Sequence, residues 1–361
     1  MRARELGLPL PGRTGQHNAI TDVPGVAVGY TTLIEGDAVR TGVTAILPRP
    51  AVEVSCAAGW FSLNGNGEMT GTTWLTESGA LRLPVLITNT HAIGPAHRGV
   101  VDWVNREKPS VAREWLLPVV AETWDGYLND INAPTVQPSH AVAAIDAARP
   151  GPVAEGSVGG GTGMNCYQFK GGSGTSSRLV DYGQDTYTVG AFVQANFGSR
   201  AELTVCGVPV GAALTADNPM RDTDWRVPPG AGSVIAVIAT DAPLLPGQCT
   251  ALARRVPLGL ARTGTTGSHF SGDIFLAFST ANPGALTIGA PYGPPGYEQL
   301  RFLPWGRLDD FFAAVVQAVE EAVLNALVGA DTMIGRDGHR SPGLPVADML
   351  DLITDAGRRS A

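Results

Sequence analysis

Short apolar runs separated by Gly, Pro and Asn turns recur along most of this chain, and that rhythm constrains the fold more than any one motif. Runs at 43–47, 84–87, 188–195, 233–239 and 273–278 have strand length and turn residues at their ends. Helical spacing lies between some of them. One such pattern spans 246–256 and stops at Pro257, which cannot continue a helix. Another starts at Leu308 or Asp309, runs to Val328 and closes at Gly329. Asp309 and Asp310 suit its N-terminus, where the helix carries partial positive charge. No repeat period and no clean linker appear, so 1–361 reads as a single domain with central sheets and outer helices. Residues 341–345 and the closing Arg358-Arg359-Ser360-Ala361 read as a peripheral tail.

Composition narrows the function. Hydrophobic residues make up 44% of the chain, enough for a sizeable core, and the formal net charge is −8. No long basic run exists, which argues against a nucleic-acid partner. The N-terminus lacks the apolar region of a signal peptide, and no apolar run approaches a membrane span, so no membrane partner is expected. Cys56, Cys166, Cys206 and Cys249 are scattered without zinc or redox spacing, as expected of buried thiols in a cytoplasmic protein. His17, His91, His97, His140, His269 and His339 form no metal-type pair on a helix. No metal or other cofactor is expected.

The helix over Asp309–Val328 can be read face by face. At 3.6 residues per turn, Phe312, Val315, Val316, Val319, Val323, Ala326 and Leu327 share one side. Glu321 falls opposite, in solvent. Glu320 falls at the stripe's edge, where a carboxylate reaches inward and either accepts internal hydrogen bonds or has a chemical role.

Chemistry concentrates near Ser271. A loose Gly/Thr/Ser segment over 263–268 runs into the apolar strand, with Ser271-Gly272-Asp273 at the junction. That layout suits a serine whose upstream peptide bond, Phe270–Ser271, is to be broken. The loop lets the bond distort, and Gly272 admits another group close to the backbone. A serine hydroxyl beside its own freed α-amine has its base built in. No Gly-x-Ser-x-Gly elbow surrounds Ser271, since position 269 is His. The Gly-rich runs starting at Glu155 and at Lys170 lack a P-loop ending, and they read as sharp bends lining a pocket. Asn64-Gly65-Asn66-Gly67-Glu68-Met69-Thr70-Gly71 has the composition of a pocket rim. Asn196, at the end of a buried strand, either donates to an oxyanion or caps the strand end.

Together these segments resemble the DmpA/BapA family of aminopeptidases, the L-aminopeptidase/D-esterase and β-aminopeptidase group. The likeness is carried in order by Asn18-Ala19-Ile20-Thr21-Asp22-Val23-Pro24-Gly25-Val26, the turn beginning at Asn64, the Gly-rich runs from Glu155 to Thr175, Gln194-Ala195-Asn196-Phe197-Gly198, Ala239-Thr240-Asp241-Ala242-Pro243, Ser271-Gly272-Asp273-Ile274-Phe275 and Glu320-Glu321-Ala322. It implies a four-layer α/β/β/α sandwich similar to the N-terminal nucleophile hydrolases. It also implies self-cleavage into 1–270 and 271–361, with the paired fragments assembling into a homo-oligomer. Substrates would be short peptides, amides or esters with a free α- or β-amine on the acyl part. On this resemblance Ser271 matches the nucleophile, and Glu320 the carboxylate that assists proton transfer. Glu155 matches the holder of the substrate ammonium, Tyr167 a pocket tyrosine and Asn196 the oxyanion donor, with Asp241 in another motif that could also reach the site. Two positions depart from the family pattern. Phe270 replaces a small residue or Asn before the nucleophile, so slow or absent processing is expected from its restricted backbone. Ala318 replaces a relay hydroxyl. Those departures leave two rivals open: an unprocessed binding protein, and an acyltransferase of the ornithine-acetyltransferase kind, although the latter generally cuts before Thr.

Overall fold

The computed structural model describes residues 1–221, 232–289 and 294–360. Two sheets stack at its centre. In chain order the strands are β1 (Ala27–Glu35), β2 (Val39–Leu47), β3 (Cys56–Ser62), β4 (Ala80–Leu81), β5 (Val85–Asn89) and β6 (Val119–Thr123). A small hairpin of β7 (Asn165–Cys166) and β8 (Phe169–Lys170) follows, then β9 (Gly172–Tyr182), β10 (Asp185–Asn196), β11 (Gly232–Thr240) and β12 (Ser271–Ser279). The first sheet has the order β1-β2-β5-β6 and the second β4-β3-β12-β11-β10-β9. The helices are α1 (Thr72–Ser78), α2 (Ile93–Glu107), α3 (Pro138–Asp146), α4 (Val210–Ala213), α5 (Pro246–Ala253), α6 (Val256–Ala261), α7 (Asp309–Val328) and α8 (Val346–Ser360).

The layers follow from strand alternation. Even-numbered residues of β12 (Ile274, Leu276, Phe278) meet Ile46, Val85, Ile87 and Ala121 of the first sheet, forming the core between the sheets. Odd-numbered ones (Phe275, Ala277) face Cys249, Leu252, Leu260, Val319 and Val323 of the α5, α6 and α7 layer. On the far side, Ala96 and Val100 of α2 and Ala141 and Ile145 of α3 cover the first sheet through Val43, Ala45, Leu86 and Val120. The expected α/β/β/α sandwich is the observed one.

Three expectations change. Glu321 is fully buried rather than exposed. The segment before residue 19 lies across α7, with Leu8 and Leu10 in the helix-side core and the Ala3 amide donating to Asn325 Oδ1 at 2.9 Å. The helix therefore has cover on both sides. Glu321 sits between Arg178, 2.6 Å away, and Arg4, 2.9 Å away, and accepts from Asn18 Nδ2 at 2.5 Å. Second, the chain end is not a loose tail: 346–360 forms α8, anchored by the fully buried Met349, while Ala361 lies outside the described residues. Third, α7 is by length and composition apolar enough to cross a bilayer, contrary to the expectation of no such run. Most of it is buried inside this protein, which accounts for its hydropathy as a core helix.

Candidate active site

Ser271 opens β12, a central strand parallel to β11 on one side and antiparallel to β3 on the other. A parallel neighbour requires a long crossover, and here α5 and α6 fill it before the chain returns through the loop at 262–270. Ser271 is therefore the first strand residue after a loop rich in Gly, Thr and Ser. It is 2% exposed, and its amide donates to the Ser268 carbonyl at 2.9 Å, closing a tight turn. His269 and Phe270 form the tip of that turn and point outward, their rings edge to face at 5.2 Å. The Phe270 ring is 51% exposed and so stands outside the site.

Residues two apart on a strand share a face, and Ser271 Oγ donates to Asp273 Oδ1 at 2.6 Å. Asp273 Oδ2 accepts from Asn64 Nδ2 at 3.2 Å, and the same amide donates to the Ser268 carbonyl at 3.0 Å. Burial pushes the Asp273 carboxyl up to about 6, an effect opposed by its bonds from Ser271 and Asn64. At neutral pH it remains mostly a carboxylate, able to take a proton.

The turn beginning at Asn64 reaches Ser271 because β3 pairs with β12. The Leu63 amide donates to the Asp273 carbonyl at 2.9 Å, which keeps the chain leaving β3 beside the start of β12. Asn66 Nδ2 then donates to the Phe270 carbonyl at 2.9 Å. That oxygen belongs to the peptide bond preceding Ser271. Gly272 is required here, because a Cβ would run into the Asn66 carbonyl. A Cβ on Gly67 would stand 3.0 Å from Gly272 Cα and 3.2 Å from Glu122 Oε1. Glu122, near the end of β6, is 3% exposed. It accepts the Glu68 amide at 3.0 Å and the Thr90 hydroxyl, and burial raises its carboxyl above the usual range.

The remaining expected site residues are placed as follows. The buried Tyr167 hydroxyl pairs with Thr263 Oγ1 at 2.7 Å and accepts the Thr265 amide at 3.2 Å, anchoring the loop that leads to Ser271. Asn196 uses both ends of its amide on backbone: Nδ2 donates to Trp124 O at 2.9 Å and Oδ1 accepts from Asn165 N at 2.8 Å. It caps the strand end, and the side-chain amide on the Phe270 carbonyl is that of Asn66. Glu155 is ion-paired with Arg2 at 2.7 Å and accepts the Thr175 amide at 2.9 Å. In register, Thr175, Phe192, Val237 and Leu276 form one row, three strands across and five residues along from Ser271. With strands ~4.8 Å apart and ~3.3 Å rise per residue, Glu155 lies roughly 20 Å from Ser271. Its described partners are Arg2 and the Thr175 amide rather than Ser271. Glu320 is buried as expected and pairs with Arg262 at 2.7 Å. It lines a cavity of about 360 Å³ with Pro9, Pro11, Cys206, Gly207 and Arg262.

Asp273, Asn66 and Glu122 were not singled out by the sequence. Asp273 had a legible signal in its two-residue spacing from Ser271. Asn66 and Glu122 reach the site only through the pairing of β3 with β12 and the stacking of the sheets.

The model of peptidase family S58 matches residues 18–341. The β-peptidyl aminopeptidase BapA of Sphingosinicella microcystinivorans is 47% identical, over 100% of this chain and 93% of its own length. BapA of Sphingosinicella xenopeptidilytica is 43% identical, over 95% and 89%. Among solved structures, the L-aminopeptidase D-Ala-esterase/amidase of Ochrobactrum anthropi is described as a prototype serine aminopeptidase and a variant of the Ntn hydrolase fold. It superposes with a TM-score of 0.92 at 44% identity, covering 99% of each chain. A Burkholderia sp. β-aminopeptidase gives a TM-score of 0.91 at 44% identity, with 99% of each chain covered. With a serine and a carboxylate joined at a strand start, in this sandwich and across nearly all its length, the chain belongs to peptidase family S58 and is a hydrolase of peptide bonds.

Proposed function

We propose that this protein is a self-processing serine aminopeptidase/amidase, cut between Phe270 and Ser271 into fragments 1–270 and 271–361 that stay together. The observation that carries this reading is Ser271 itself: buried at the head of a central strand, its hydroxyl on a carboxylate and its upstream bond in an exposed turn. Once cut, the Ser271 α-amine, with an unperturbed pKa of roughly 7.7–8.0, acts as the base for its own hydroxyl. The hydroxyl attacks the substrate carbonyl, the amine portion leaves, and water hydrolyses the acyl-enzyme. Asp273 and Glu122 flank the site with negative charge, which favours an ammonium on the acyl part. The names of the relatives support short peptides and amides with a free α- or β-amine as substrates. Paired fragments assembling into a homo-oligomer are part of the same proposal.

The test compares free-amine amino-acyl anilides, α and β, with their N-acetylated forms. A charge-assisted contact to the ammonium is worth about 1.5–3 kcal/mol. Acetylation should therefore lower kcat/KM by about tenfold to a hundredfold or more. Equal rates would take the protein out of the aminopeptidase class. A second expectation concerns Phe270. Its ring is exposed and stands outside the site, so Phe270→Gly should leave the rate of chain cleavage close to that of the wild type. A large acceleration, followed by intact mass from the moment of purification, would show that the ring obstructs the bond.

A further inference from the structure

Cleavage before Ser271 poses a problem of timing. Until the bond is broken, the Ser271 nitrogen is an amide, and the base used in later turnover does not exist. The precursor must draw its proton acceptor and its oxyanion donor from elsewhere. The intact chain holds one of each on the two reacting groups: Asp273 Oδ1 lies 2.6 Å from Ser271 Oγ, and Asn66 Nδ2 lies 2.9 Å from the Phe270 carbonyl oxygen. Asn64 joins the two by donating to Asp273 Oδ2 and to the Ser268 carbonyl, which itself accepts the scissile amide.

We infer that Asp273 and Asn66 form a dedicated maturation site, Asp273 as the general base and Asn66 as the oxyanion donor for cleavage of the Phe270–Ser271 bond. This rests on the reading that the bond is cut. Ser271 Oγ attacks the Phe270 carbonyl carbon, closing a five-membered ring, and its proton passes to the Asp273 carboxylate. The carbonyl oxygen takes the negative charge and is held by Asn66. The carbon–nitrogen bond then breaks, and Asp273 returns the proton to the Ser271 nitrogen, leaving an ester and a free amine. Water adds to the ester, releasing the Phe270 carboxylate and restoring the hydroxyl.

The experiment follows conversion of freshly purified full-length chains by intact mass, for wild type, Asp273→Asn, Asn66→Ala and Ser271→Ala. General bases contribute about 10²–10⁴-fold and single oxyanion donors about 10²–10³-fold. Asp273→Asn should slow conversion by at least about a hundredfold, and Asn66→Ala by a comparable factor, with thermal midpoints matching the uncut Ser271→Ala chain. Asn66 is exposed, so its variant remains informative even if Asp273→Asn fails to fold. Conversion of folded Asp273→Asn or of Asn66→Ala at the wild-type rate would overturn the inference while leaving self-processing intact. A wild-type chain that never converts would instead overturn the underlying reading.

Discussion

Replacing Ser271 by Ala is expected to leave a single full-length chain and to remove peptide hydrolysis. On the proposed mechanism both reactions use the same oxygen: first against the Phe270 carbonyl, then against the substrate. Alanine keeps the strand start and removes only the hydroxyl, whose one described partner is Asp273, so the fold should persist. Loss of a nucleophile that acts with its base as a unit costs about 10⁶-fold in kcat. Denaturing electrophoresis reads the first effect and anilide hydrolysis the second. A variant still cut at this bond would implicate a contaminating protease, and one that retains hydrolysis would place the nucleophile elsewhere.

Glu321→Gln is expected to be the most damaging single change away from Ser271. Glu321 is fully buried, Arg178 is 1% exposed, and Arg4 and Asn18 complete the ring of donors. Neutralising the carboxylate leaves the buried Arg178 guanidinium without its ion-pair partner, and breaking a buried pair this way costs about 3–5 kcal/mol. It also unpins the N-terminal segment from α7. Chemical denaturation should show a midpoint lowered without a change of slope. Glu320→Gln is the comparison. Its partner Arg262 is half-exposed, and such a pair contributes about 0–1 kcal/mol. Equal losses from both substitutions would contradict the assignment of Glu321 as the buried hub.

That contrast shows where sequence reading stops. The 3.6-residue period placed Glu321 opposite the apolar stripe of α7, and angularly that is where it lies. The period could not reveal that Leu8, Leu10 and Arg4 cover the opposite face, since the cover comes from more than 300 residues away in the chain. The β12 strand was legible in its apolar run, and Ser271 in the change from loop to strand chemistry. The need for Gly272 was legible too, although the group approaching it, the Asn66 carbonyl, was not. Glu155 and Asn196 failed as partners of Ser271 for a related reason. Arg2 and the Trp124 carbonyl satisfy them, and neither contact has any local signature. Pairings closed over 72 to 204 residues leave no trace in spacing or period, and the contact of Asn66 with the Phe270 carbonyl is one of them.

N-terminal sequencing of the purified protein addresses the central claim most directly. The account predicts two chains in equal amount, one starting at the original N-terminus and one reading Ser-Gly-Asp-Ile-Phe. A single intact chain that hydrolyses free-amine anilides at full rate would contradict it, because Ser271 would then never acquire the amine that is proposed to serve as its base.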